Sequence, residues 1–157
     1  VKRLFEQEVP EVYDGTVEIM NISREAGDRS KIAVYTHDAD LDPVGAMVGQ
    51  RGARVQAVVN ELGGENMDIV EWVEDEAQYI ANALNPSEVA DVIFNPENER
   101  AVTVIVPDNQ LSLAIGKKGQ NARLAARLTG FKIDIKSESE AANSLSKQSP
   151  LKAESGE

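Results

Sequence analysis

The chain has 157 residues, a net charge of −11, no cysteine and 4% aromatic residues, which suits one medium domain or two small ones with cores built from Val, Ile, Leu and Ala. The absence of cysteine excludes disulfides, cysteine-ligated zinc and thiol catalysis, and fits a reducing, cytoplasmic location. No apolar stretch approaches the ~20 residues of a membrane span and no secretory pattern opens the chain, so no membrane partner is expected.

Residues 2–8 (KRLFEQE) predict a short helix ended by Pro10. Over 16–25, Val17 and Ile19 alternate with polar neighbours. Residues 31–36 alternate again after the Gly27-Asp28 turn, which predicts a hairpin. Asp42 as N-cap and Pro43 at the first position open a helix over 43–48. Beyond Gly49-Gln50-Arg51-Gly52, the residues Val55, Val58, Val59 and Leu62 form one apolar helix face, stopped by Gly63-Gly64. Residues 67–73 read as a strand.

The order then recurs. A helix over 75–84 is closed by Asn85-Pro86. A hairpin follows over 88–94 and 101–106, and a helix over 110–115. Beyond Gly116-Lys117-Lys118-Gly119, the residues Ala122, Ala125, Ala126 and Thr129 repeat the spacing of the first long helix. Gly130 closes that helix, and residues 131–136 alternate as a strand. Residues 138–157, rich in Ser, Glu, Ala and Lys, read as a disordered polar tail.

This is an internal repeat. A shift of 67 residues places Gly49 on Gly116, Gly52 on Gly119, Val48 on Ile115 and Gly63 on Gly130. Each copy reads α-β-β-α-α-β. The fold class is therefore α+β: two tandem units at 1–73 and 74–137, each a small three-stranded sheet backed by helices.

The net charge has the wrong sign for a nucleic-acid binder, but its distribution decides more than its sum. Residues 61–100 hold eleven acids and one base, Arg100. Residues 111–136 hold six bases (Lys117, Lys118, Arg123, Arg127, Lys132 and Lys136) against Asp134. Residues 45–60 carry Arg51 and Arg54 and no acid. Positive charge is thus gathered around the two glycine loops. In each, the first glycine lets the chain reverse without a Cβ penalty, and the second opens a helix whose unpaired N–H groups attract an anion. One Gly-x-x-Gly is weak evidence and reads as an ordinary turn. Two at matching places, each with a basic middle residue, are far more specific.

The runs KIAVYTHDADLDPVGAMVGQRG, VNELGGENMDIVEW, YIANALNP and LAIGKKGQNARLAARLTG resemble the tandem KH region of NusA-type bacterial transcription factors. The hairpin ahead of the helix pair matches the type II, prokaryotic KH arrangement. The resemblance implies single-stranded RNA as partner, the nascent transcript, with RNA polymerase as a partner of the full-length protein. It also implies roles in pausing, termination and antitermination. In KH domains the loop contacts the RNA backbone beside a groove for about four nucleotides. Carried onto this chain, the loop residues are Gly49, Gln50, Arg51, Gly52, Gly116, Lys117, Lys118 and Gly119. The groove residues would be Val48, Arg54, Ile115, Asn121 and Arg123. The family's polymerase-binding and OB-fold domains have no counterpart here, and the chain opens with Val1 rather than Met, so a fragment of a longer monomeric protein is expected.

Other constellations are weaker. His37, the one histidine, lacks a nucleophile nearby. Asp38, Asp40 and Asp42 open like an EF-hand loop, but Pro43 and Gly49 stand where Gly and Glu are needed. Lys117-Lys118 lack the earlier glycine and following Ser or Thr of a P-loop. Trp72 reads as filler between the units or as a base-stacking platform. No enzyme, cofactor or metal site is expected. The rival reading is an interaction scaffold docking through its acidic 61–100 segment, or another KH-type RNA-binding factor.

Overall fold

The computed structural model describes residues 1–143. The first unit runs α1 (Lys2–Glu8), α2 (Pro10–Tyr13), β1 (Val17–Glu25), β2 (Arg29–Thr36), α3 (Pro43–Val48), α4 (Ala53–Glu61) and β3 (Asn66–Glu71). The second runs α5 (Glu76–Ala83), β4 (Asp91–Asn95), β5 (Asn98–Val106), α6 (Leu111–Ile115), α7 (Gln120–Thr129) and β6 (Lys132–Ser137). Each sheet has its middle strand antiparallel to its hairpin partner and parallel to its last strand, in the orders β1-β2-β3 and β4-β5-β6. Among the described residues no helix is long and apolar enough to cross a membrane.

Three expectations shift. Pro10 does not merely end α1; it occupies the first turn of α2, where its missing N–H costs nothing. Residues 138–143 are helical rather than part of a disordered tail. Ser137 and Glu140 exchange side-chain-to-backbone hydrogen bonds at 3.0 and 3.1 Å, a capping box that polar composition concealed. The rest of the expected tail, 144–157, lies outside the described residues. On α7 the buried face is Asn121, Leu124, Ala125, Leu128 and Thr129, so the leucines, not Ala122 and Ala126, enter the core.

Strand alternation decides how the units meet. On β2, Ile32 and Val34 face α1, α3 and α4 and pack with Phe5, Val9, Met47 and Val58. Ala33, between them, faces the other way. With Val70 it joins a cluster built from Tyr79, Ile80, Leu84 and Leu128 of the second unit. Period-2 geometry thus gives the first sheet two buried faces, one covered by its own helices and one by the neighbouring unit. Each fully buried Ile, Leu or Phe side chain contributes roughly 1.5–3 kcal/mol. Trp72 is half-buried in this contact, edge-on to Tyr35 at 5.4 Å and tilted against Tyr79 at 6.2 Å.

Two buried polar groups brace the first unit, and one of them reaches the second. Lys31 is fully enclosed and donates from Nζ to Asp68 at 3.0 Å and to the Asn85 carbonyl at 2.6 Å, tying β2 to the segment after α5. Desolvation pulls its pKa down, and the Asp68 carboxylate opposes that shift. Glu65 is equally enclosed and accepts from Arg24, Ser30 and the Gly27 amide. Those donors, Arg24 foremost, hold its pKa at about 2.

Candidate nucleic-acid interface

Each Gly-x-x-Gly segment is a single tight turn joining a short helix to a long one, and the two have nearly the same backbone. The first glycines have φ 77 and 80, and the second φ 75 and 75. Arg51 and Lys118, the third residues, are the only non-glycine residues at positive φ among those described, at 53 and 56. The left-handed region costs an ordinary residue about 1 kcal/mol. That both units accept this cost with a cationic residue makes the conformation a specific feature of the turn.

The glycines are required for different reasons. A Cβ on Gly116 would stand 2.6 Å from the Asn121 amide nitrogen, and one on Gly49 would stand 2.7 Å from Arg54 Cγ and 3.0 Å from its amide nitrogen. Close approach of the following helix therefore excludes any side chain at the first position. At Gly52 and Gly119 a Cβ would meet nothing nearer than 3.9 Å, and only the positive φ favours glycine.

The free amides are not where the helix-terminus argument puts them. Gly52 donates to the Gly49 carbonyl at 3.2 Å and Gly119 to the Gly116 carbonyl at 3.0 Å. The next residues, Ala53 and Gln120, donate back to Gln50 and Lys117. Among the described residues the amides of Gln50, Arg51, Lys117 and Lys118 have no hydrogen-bond partner, so the middle pair of each loop, not its second glycine, offers N–H groups. The side chains of all four are exposed.

The expected groove residues separate into two groups. Val48 is half-buried beside its loop, and Ile115 is 38% exposed, with Leu113 on the same short helix 44% exposed. These present apolar surface beside the loops. Arg54, Asn121 and Arg123 are engaged by protein. Arg54 Nη1 donates to the Ala46 carbonyl at 2.8 Å and to Glu11 at 3.0 Å. Asn121, at 5% exposure, donates to the Ala114 and Leu84 carbonyls, both at 3.0 Å. Both residues satisfy a carbonyl that the short helix before the loop leaves open at its end. Burial removes the Asn121 side chain from the groove expected of it.

Arg123 reaches across to the first unit. Its Nε and Nη2 donate to the Glu25 carboxylate at 2.5 and 3.0 Å, and its Nη1 donates to the Lys118 carbonyl at 3.1 Å. Gln120 donates to Glu25 at 3.1 Å and Asp28 at 2.7 Å. Arg123 and Gln120 together hold the Glu25 pKa at about 2. Sequence reasoning missed Glu25, Gln120 and Asp28, because nothing local marks partners about a hundred residues apart.

Residues 1–72 match the family model of the NusA-like first KH domain, and residues 76–143 that of the NusA-like second KH domain. The chain is 69% identical over 141 residues to the transcription termination/antitermination protein NusA of Bacillus subtilis, covering 90% of this chain and 38% of that protein. Against the protein of the same name from Mycobacterium tuberculosis the identity is 55% over 136 residues, covering 87% and 39%. The chain thus spans well under half the length of these relatives. The crystal structure of APE1850 shares the fold, with a TM-score of 0.58 at 22% identity, covering 85% of this chain and 94% of that one. With two family models end to end over nearly all the described residues, on two matching sheets and two matching loops, the chain belongs to the NusA-like tandem KH family.

Proposed function

We propose that this chain binds single-stranded RNA on its two Gly-x-x-Gly loops and is the RNA-binding part of a transcription elongation factor that regulates pausing, termination and antitermination. The observation that carries this reading is the pair of matching loops, each presenting two unpaired amides, with one exposed basic side chain in the first (Arg51) and two in the second (Lys117 and Lys118). A backbone phosphate fits such a loop because nothing larger than hydrogen projects from the glycines, and the exposed amides supply donors. Base contacts fall to the apolar surface of Val48, Leu113 and Ile115. In the full-length protein RNA polymerase is the second partner. The chain acts as a monomer, in the cytoplasm, by binding rather than by catalysis.

The test replaces Gln50-Arg51 and Lys117-Lys118 together with acidic pairs. RNA binding is expected to collapse while circular dichroism and melting stay at the wild-type values. Wild-type affinity should fall with salt at a log–log slope of about −0.7 per phosphate neutralised. Binding that survives the combined variant, or a flat salt response, overturns the reading. A second reading rests on the exposed acids Glu71, Glu74, Asp75, Glu76, Glu88, Asp91, Glu97 and Glu99, which form a surface suited to a basic protein partner. Partner capture that is unchanged by nuclease treatment would favour it.

A further inference from the structure

We infer that Glu25, an acid in the first unit, is a positioning residue for the second RNA loop, holding it in register with the first so that one strand engages both at once. This rests on the RNA reading above and names the residue that makes two loops act as one site.

The argument begins with geometry. Glu25 ends β1, and helix α7 of the second unit lies across β1 and β2. Its carboxylate takes two hydrogen bonds from the Arg123 guanidinium, at 2.5 and 3.0 Å, and one from Gln120 at 3.1 Å. A guanidinium is planar, so two bonds to one carboxylate fix its plane and the direction of its remaining N–H groups. One of those, on Nη1, meets the Lys118 carbonyl at 3.1 Å. Lys118 is the residue held at φ 56, and its amide is one of those left open for a phosphate. A connected chain, Glu25 to Arg123 to the Lys118 peptide, therefore runs from the first unit's hairpin into the second loop.

Among the described residues the first loop has no such brace. The position equivalent to Arg123 is Gln56, whose side chain bonds to Asn60 on its own helix at 2.9 Å. Among the described residues only the second loop is tied to the other unit, which is what aligning two sites requires: one fixed, the other set relative to it. Two linked sites gain affinity only when their spacing matches the strand that spans them.

Electrostatics alone makes the opposite prediction, and this gives the test its sign. Removing an acid beside a polyanion site, and freeing Arg123, should strengthen binding to any RNA. Positioning predicts a loss, and only for long RNA. The experiment compares Glu25→Ala and Glu25→Gln with wild type on a four-nucleotide RNA, read by amide shifts of Gly52 and Gly119, and on an RNA long enough to reach both loops, read by fluorescence anisotropy. For Glu25→Ala we expect about a tenfold loss for the long RNA, none for the short one, and a smaller long-RNA loss for Glu25→Gln. Equal or tighter binding of both lengths overturns the proposal. So does a parallel loss on both, which would mean that the loop itself had collapsed. If the acidic loop variants bind long RNA as wild type does, the RNA reading fails and this proposal with it. If they lose binding while Glu25→Ala does not, the proposal alone fails.

Discussion

The two glycine loops share a backbone and differ in what holds it. In the first, Arg54 covers the Ala46 carbonyl from a half-exposed position and reaches Glu11 of its own unit. In the second, the equivalent Asn121 is buried and joins the Ala114 carbonyl to the Leu84 carbonyl. The first loop stands on its own helices. The second is bonded to its own core on one side and, through Arg123, to Glu25 of the first unit on the other. One main-chain shape is thus reached through two sets of side chains. What must be kept is the absence of a Cβ at the first glycine and something to satisfy the open carbonyls before it.

The widest contrast is predicted among the glycines. Gly116→Ala meets both a positive φ and a backbone nitrogen at 2.6 Å. It is expected to cost about 3 kcal/mol, from roughly 1 for the dihedral and 1–3 for the overlap. Gly119→Ala and Gly52→Ala meet open space and should cost about 1 kcal/mol each. Thermal melting of the three variants checks this, and equal losses would break the distinction drawn between the first and second glycines.

The capping residues come next. Asn121→Leu leaves the enclosed Ala114 carbonyl without a donor, while the Leu84 carbonyl keeps the Ser87 amide at 2.9 Å, and is expected to cost about 2 kcal/mol. Arg54→Leu removes one part-buried hydrogen bond, made by a side chain that is itself a third exposed, and should cost about 1 kcal/mol or less. Denaturant midpoints would show whether burial separates the two.

Acid tests the tie between the units. The pKa of Glu25 is lowered from 4.5 to about 2, chiefly by its hydrogen bond with Arg123. A lowered folded pKa means that the tie's contribution is complete above about pH 4.5 and is lost as pH falls towards 2. The Arg123 side-chain NMR signals should therefore be unchanged between pH 7 and 5 and move only in stronger acid, whereas Glu25→Gln removes that transition. The smallest effect is expected for Gln56→Arg, which puts an arginine at the unbraced position. Stability should change by less than about 0.5 kcal/mol, with RNA binding slightly tightened by the added charge.

Much of this was legible in advance because it is local. Gly49, Gly52, Gly116 and Gly119 mark their turns directly, Asp42 caps α3 through the Val44 amide at 3.1 Å as its position before Pro43 predicts, and both expected hairpins pair antiparallel. On α7, Ala125 and Thr129 are buried as their spacing predicts, while Leu124 and Leu128, outside the expected set, join them in the core and Ala122 and Ala126 stay half-buried. The capping box at Ser137 was hidden by the polar composition around it.

By itself the sequence determined the repeat, the element order, the two loops and the family, since each is written in spacings of a few residues or in long matched runs. Only the tertiary structure decided the use of individual side chains. Asn121 became a core donor, Arg123 turned to Glu25 rather than to solvent, and the open amides moved to the middle of each loop. The physical reason is that a polar side chain bonds to whichever group the fold brings within about 3 Å, and for Arg123 that group stands 98 residues away along the chain.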